Sequence, residues 1–240
     1  MQNLFRKSFL NKAALMLLSV ASTMSLTGCM DDDLETPEPT PTAYVSFYHG
    51  SPDAPDMDIQ RNSQSILNQP IKYSNFSGYA PLIPESTNFK FTPVNAATAY
   101  LDTTLSLKDG EAYSLFAVNR LEDIELLVVQ DSIVTPATGK VALRIVHLSP
   151  DAPAVNVSTT GSASTELAAG LGFKNITLFK ELDAGRHTIE IKDADTDAVL
   201  LTVSQTNFEL GRAYTLIVRG FATPPSGNTN TLAAQVIRNY

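Results

Sequence analysis

His49-Gly50-Ser51-Pro52-Asp53-Ala54-Pro55 is repeated as His147-Leu148-Ser149-Pro150-Asp151-Ala152-Pro153, six of seven residues identical at an offset of 98. A match of that length at a long fixed spacing means one structural unit used twice. Working outward, Asp109-Gly110-Glu111-Ala112-Tyr113-Ser114-Leu115 aligns with Leu210-Gly211-Arg212-Ala213-Tyr214-Thr215-Leu216 at an offset of 101. Val128-Val129-Gln130-Asp131 likewise corresponds to Val236-Ile237-Arg238-Asn239. Order is kept throughout, and the small drift in offset leaves only short loop insertions in the second copy. The expected units are residues 44–131 and 140–240, joined by a linker at 132–139.

Within each copy the hydrophobic period is two. Tyr44 to His49 and Val141 to His147 read as first strands that stop at Ser-Pro, while Asn88 to Thr92 and His187 to Lys192 alternate apolar with polar residues as half-buried strands do. Ala112 to Val118 and Ala213 to Val218 supply a further strand, each after a Gly-containing turn. Short strands at regular spacing, with no convincing helical period after residue 43, predict an all-β chain. The expected fold is two tandem immunoglobulin-like antiparallel β-sandwich domains of about seven strands each, following a signal peptide and an extended linker.

Composition sets the boundaries of function. With 43% hydrophobic and 18% charged residues among 240, the chain has the make-up of a soluble globular protein. A single cysteine excludes an intramolecular disulfide or a thiolate zinc cluster. A net charge of -8 and a pI near 4.8 argue against nucleic acid as a partner, since phosphates require a basic footprint.

The amino terminus reads as an address. Arg6, Lys7 and Lys12 precede an apolar stretch from Ala13 to Leu26, the pattern of an export signal and too short for a good membrane span. Leu26-Thr27-Gly28-Cys29 then resembles the lipobox of bacterial lipoproteins at all four positions. That resemblance implies cleavage after residue 28, acylation at Cys29, and a partner in the membrane through the N-terminal lipid, because two or more chains anchor stably where one does not. Residues 1–28 carry three basic and no acidic side chains, so the mature net charge becomes about -11. Residues 29–43 form an acidic, Pro-rich tether, able to hold the first domain roughly 35–40 Å from the membrane at about 3.1 Å per residue. Met30 after the cysteine favours the outer membrane by resemblance to enterobacterial sorting rules, and Asp31-Asp32-Asp33 resembles the surface-export signals of some bacterial lipoproteins. A solvated acidic linker explains the triplet equally well, so the periplasmic and external faces both stay open.

Several of the quoted stretches carry a family resemblance. The first strand ending in His-x-Ser-Pro-Asp-Ala-Pro, the alternating Val155 and Val157, the Leu182-Asp183-Ala184-Gly185 turn and the Gly-x-Ala-Tyr segment are similar to DUF4397 domains of bacteria. The second copy is the closer likeness; in the first, Pro84-Glu85-Ser86-Thr87 stands where the family has its Gly-bearing turn. The resemblance implies an extracytoplasmic β-sandwich, often repeated and anchored, and no catalytic residues.

The candidate site is therefore the repeated motif itself: His49, Ser51, Pro52, Asp53 and Pro55, with His147, Ser149, Pro150, Asp151 and Pro153. It gathers an imidazole, a hydroxyl and a carboxylate, yet no Gly-x-Ser-x-Gly elbow accompanies them. Turn chemistry accounts for the residues instead, with Pro presetting φ, Asp bonding its own backbone two residues on and His bracing the turn. No catalytic residue, metal ligand or cofactor is assigned. Asp56 and Asp58 are replaced by Ala154 and Asn156 in the second copy, and Asp193-Ala194-Asp195-Thr196-Asp197 lacks the Gly and Glu of a calcium loop, which leaves a polar hairpin turn. Aromatics are concentrated in the first copy, at Tyr44, Phe47, Tyr48, Tyr73, Phe76, Tyr79, Phe89 and Phe91. Most are expected in the core, with a glycan-binding face as the rival reading. The chain thus reads as a non-catalytic binding, adhesion or structural module of a bacterial envelope. Its partner would be an envelope protein or a glycan; the alternatives are a carbohydrate-binding accessory lipoprotein and, last, a hydrolase.

Overall fold

The computed structural model describes residues 39–132 and 135–239; the lipobox residues Leu26, Thr27, Gly28 and Cys29, and most of the tether, lie outside them. The first half of the chain forms β1 (Ala43–His49), β2 (Met57–Arg61), β3 (Gln64–Ser65), β4 (Phe76–Leu82), β5 (Ser86–Pro93), β6 (Leu101–Ser106), β7 (Ala112–Val118) and β8 (Glu125–Asp131). The second forms β9 (Lys140–His147), β10 (Val155–Thr159), β11 (Glu166–Leu171), β12 (Lys180–Asp183), β13 (Gly185–Asp193), β14 (Val199–Phe208), β15 (Ala213–Arg219) and β16 (Ala233–Arg238). A single 3₁₀ turn at Leu121–Asp123 is the one helical element among the described residues, and no helix among them is long and apolar enough to cross a membrane.

The repeat in sequence is a repeat in topology. Sheet A has the order β4-β1-β7-β8 and sheet B the order β3-β2-β5-β6; adding eight to each strand number gives sheet C, β12-β9-β15-β16, and sheet D, β11-β10-β13-β14. Among the described residues each half has eight strands rather than seven. Nor are the sheets purely antiparallel: β1 pairs with β7, and β9 with β15, in parallel. Alternation and turn signals detect only neighbours joined by hairpins, whereas these parallel partners are separated by several crossings between sheets. The connection at Pro84 is likewise no hairpin, because β4 belongs to sheet A and β5 to sheet B.

Three apolar clusters hold the sheets together. Phe47, Ile59, Phe89, Phe91 and Leu115 fill the space between sheets A and B, with Phe47 edge-on to both Phe89 and Phe91. Ile145, Val157, Ile189, Ile191 and Leu216 do the same between C and D. The third cluster joins the halves: Tyr48, Phe116 and Val118 from sheet A meet Val146, Leu148, Ile217 and Ile237 of the second half. Consequently β7 is buried at every residue, and β1 and β9 nearly so. A strand with both faces covered loses the solvent-facing alternation that the period-two reading assigns to it. The chain from Thr40 onward forms one compact unit.

Candidate functional site: the motif turns and the seam between the halves

Each motif begins where its first strand ends, so the histidine is the last strand residue and sits in the core. His49 and His147 are both fully buried. Nε2 of His49 lies 3.0 Å from the Pro55 carbonyl, and Nε2 of His147 lies 3.0 Å from the Pro153 carbonyl. A carbonyl only accepts, so each ring donates from Nε2 and leaves Nδ1 as a bare lone pair, buried without a partner. Burial holds both imidazoles below their ordinary pKa, outweighing the proline carbonyls and, at His49, the Asp56 charge. Both are neutral donors across the turn they start.

The hydroxyl and carboxylate do not converge on the ring. Ser51 and Ser149 are buried; Ser51 Oγ has no partner, and Ser149 Oγ approaches Asp151 at 3.5 Å. The aspartates reach away from their own turns, contrary to the sequence reading. Asp53 accepts from the Leu121 N–H at 2.8 Å, and Asp151 accepts from the Ala222 and Thr223 N–H groups at 2.8 and 3.0 Å. The loops after β7 and β15 offer backbone donors there, and an ionised acceptor makes the stronger bond to them. Pro52 is also tied across the seam, its carbonyl accepting from Asn228 Nδ2 and Asn230 Nδ2 at 3.0 and 2.6 Å. Asp151→Ala is expected to cost about 2 kcal/mol in urea unfolding and Asp53→Ala about half as much, in proportion to the donors each leaves unpaired.

Elsewhere the polar residues are similarly committed. Asp58 accepts from the Asn95 N–H at 3.1 Å. Asp193 Oδ1 accepts from the Asp195 and Thr196 N–H groups, both at 2.9 Å, within the β13–β14 connection, and these bonds hold its carboxyl below the usual range. No group of three or more metal-ligating side chains is found among the described residues. Of the eight aromatics named from the first copy, only Tyr44 is exposed, at 40%.

The groups that sequence reasoning passed over lie between the halves. Arg144 Nη1 pairs with Asp131 Oδ1, with side-chain exposures of 3% and 1%. Asp131 Oδ2 accepts from Ser114 Oγ at 2.7 Å and from Tyr79 Oη at 2.6 Å. Arg144 donates further to Thr215 Oγ1 at 2.8 Å and Ser114 Oγ at 3.1 Å, and its guanidinium stacks on Phe179. Desolvation and the Asp131 charge push the Tyr79 phenol up to about 12, and burial raises Tyr48, whose Oη donates to Gln235 Oε1 at 2.9 Å. At the edge of this network an open recess of about 340 Å³ exposes Leu178, 84% accessible, beside Ile176 and Phe179. Every charge in the network is answered within it, which suits holding two surfaces together.

The chain matches no curated protein. The family match covers the first half and the start of the second. From β1 through most of β10, across both copies of the seven-residue motif, residues 43–158 match the family described as Domain of unknown function (DUF4397).

Proposed function

We propose that the chain is a lipid-anchored protein of a bacterial cell envelope that works without catalysis, as a binding, adhesion or structural module. In this reading the halves are two tandem immunoglobulin-like, DUF4397-like sandwiches carried on a tether from the outer membrane. The location rests on Leu26-Thr27-Gly28-Cys29 behind an apolar export stretch. One observation supports the non-catalytic part: in both copies the histidine Nε2 is taken up by a proline carbonyl and the aspartate accepts from backbone N–H groups, the arrangement of a brace. A general base must instead reach the proton it abstracts.

Detergent-phase partitioning tests the anchor. The natural protein is expected in the detergent phase and Cys29→Ser in the aqueous phase; an aqueous natural protein removes the anchor from this account. External protease on intact cells then decides the face, since shedding of the domains places them outside. A carbohydrate-binding accessory protein is the second reading, favoured only by the exposed ring of Tyr44. Retention of the soluble form on a polysaccharide would establish it.

A further inference from the structure

The single mismatch between the two copies of the motif, Gly50 against Leu148, lies where the copies meet. The two positions are equivalent: the Gly50 N–H donates to the Ala117 carbonyl and the Leu148 N–H to the Val218 carbonyl, both at 2.7 Å. A Cβ added to Gly50 would stand 2.9 Å from Leu148 Cδ1, closer than real Cβ contacts come, and 3.1 Å from the Ala117 carbonyl oxygen of its own half. Backbone conformation does not require the glycine, because Gly50 is not in the left-handed region and the same local bonding carries a leucine in the second half. Leu148 is fully buried. The leucine of one copy fills the room left by the glycine of the other.

Charge follows the same division. Arg144 pairs in register with Thr215 as Ser46 pairs with Ser114, so the cation stands where the first half has a serine. Asp131 lies beside Ala112 as Asn239 lies beside Ala213, so the anion stands where the second half has a neutral amide. One half supplies the knob and the cation, the other the hole and the anion.

We propose that the seam is a selective recognition surface on which sheet A accepts sheet C and neither accepts its own kind, within the chain or between copies. Two first halves face to face would set glycine against glycine over a void and bury Asp131 with no cation. Two second halves would drive Leu148 into Leu148 and bury Arg144 with no anion. Both outcomes are penalised, which is how a surface discriminates against a near-identical rival. The partner each face fits is the unlike half, met here in the same chain.

Thermal melts of four full-length chains test this. Gly50→Leu alone sets knob against knob and is expected to lower the melting temperature by roughly 4–10 °C. Leu148→Gly alone opens a cavity and lowers it by roughly 5–20 °C. In the Leu148→Gly chain, however, Gly50→Leu is expected to raise the melting temperature, because the leucine then enters the same room from the other side. Strain local to residue 50 would make Gly50→Leu destabilising in both backgrounds, and that result overturns the proposal. Should Gly50→Leu not fold, Gly50→Ala in the natural and Leu148→Ala chains is read for the same reversal of sign, and its absence there overturns the proposal equally.

Discussion

Replacing Asp131 with alanine is expected to lower the melting temperature of the protein by roughly 6–20 °C. The substitution leaves the Arg144 guanidinium inside the seam, 3% exposed, with no anion. Stranding one member of a buried pair costs about 3–5 kcal/mol, and a chain of this size loses about 2–4 °C for each kcal/mol. Tyr79 and Ser114 lose their acceptor at the same time. Arg144→Met should cost less, because those two hydroxyls still donate to Asp131 after the guanidinium is gone. Removing both charges, Asp131→Ala with Arg144→Met, is expected to be milder than Asp131→Ala alone, since no charge is stranded. Circular-dichroism melts of the four chains decide it; strictly additive losses would mean that the pair is not coupled.

Acid is the second large lever. Both motif histidines are held below their ordinary pKa by burial, so the folded chain keeps them neutral while the unfolded chain protonates them below about pH 6.5. Unfolding then takes up protons, and the stability present above pH 6.5 is lost as the pH falls. The slope is up to about 1.4 kcal/mol per pH unit for each ring, about 2.7 for the two together. Asp102, Asp183 and Asp193, whose carboxyls are depressed by their hydrogen bonds, act at lower pH, near the unfolded aspartate value of about 3.9. Urea unfolding between pH 6.5 and 4.5 therefore isolates the imidazoles. The double variant His49→Gln, His147→Gln is expected to be weaker at pH 7 but flatter across this window. A slope equal to that of the natural chain would remove the histidines from the account. If the variant instead keeps its stability at pH 7 and loses binding to a polysaccharide or envelope protein, the rings belong to a site and not to a brace.

Much of this architecture is legible in the residues, and the limits have physical causes. Strands β1, β5, β7, β9, β13 and β15 follow from local alternation and from the turns that bound them. The parallel pairs do not, because β1 and β7 are brought together by crossings that no local signal encodes. The seam was visible only as an anomaly. In β9 the face that alternation assigns to solvent reads Ala142-Arg144-Val146, and in β7 it reads Ser114-Phe116-Val118, too apolar for water. Such a face implies a second cover, but nothing in one strand says that the cover is the other half of the same chain. Gly50 against Leu148 is the clearest case: a lone difference within a repeat has no meaning until the two positions are seen to touch. The motif aspartates escaped for the related reason that their partners, Leu121, Ala222 and Thr223, are some seventy residues away.

The central claim is that the halves form one body through the seam, and scanning calorimetry of the protein tests it most directly. Cooperative melting of about 200 residues at about 0.7 kcal/mol per residue predicts a single transition whose van't Hoff enthalpy equals a calorimetric enthalpy of about 140 kcal/mol. Two transitions, or one whose van't Hoff enthalpy is near 70 kcal/mol, would show halves that unfold independently and would contradict it.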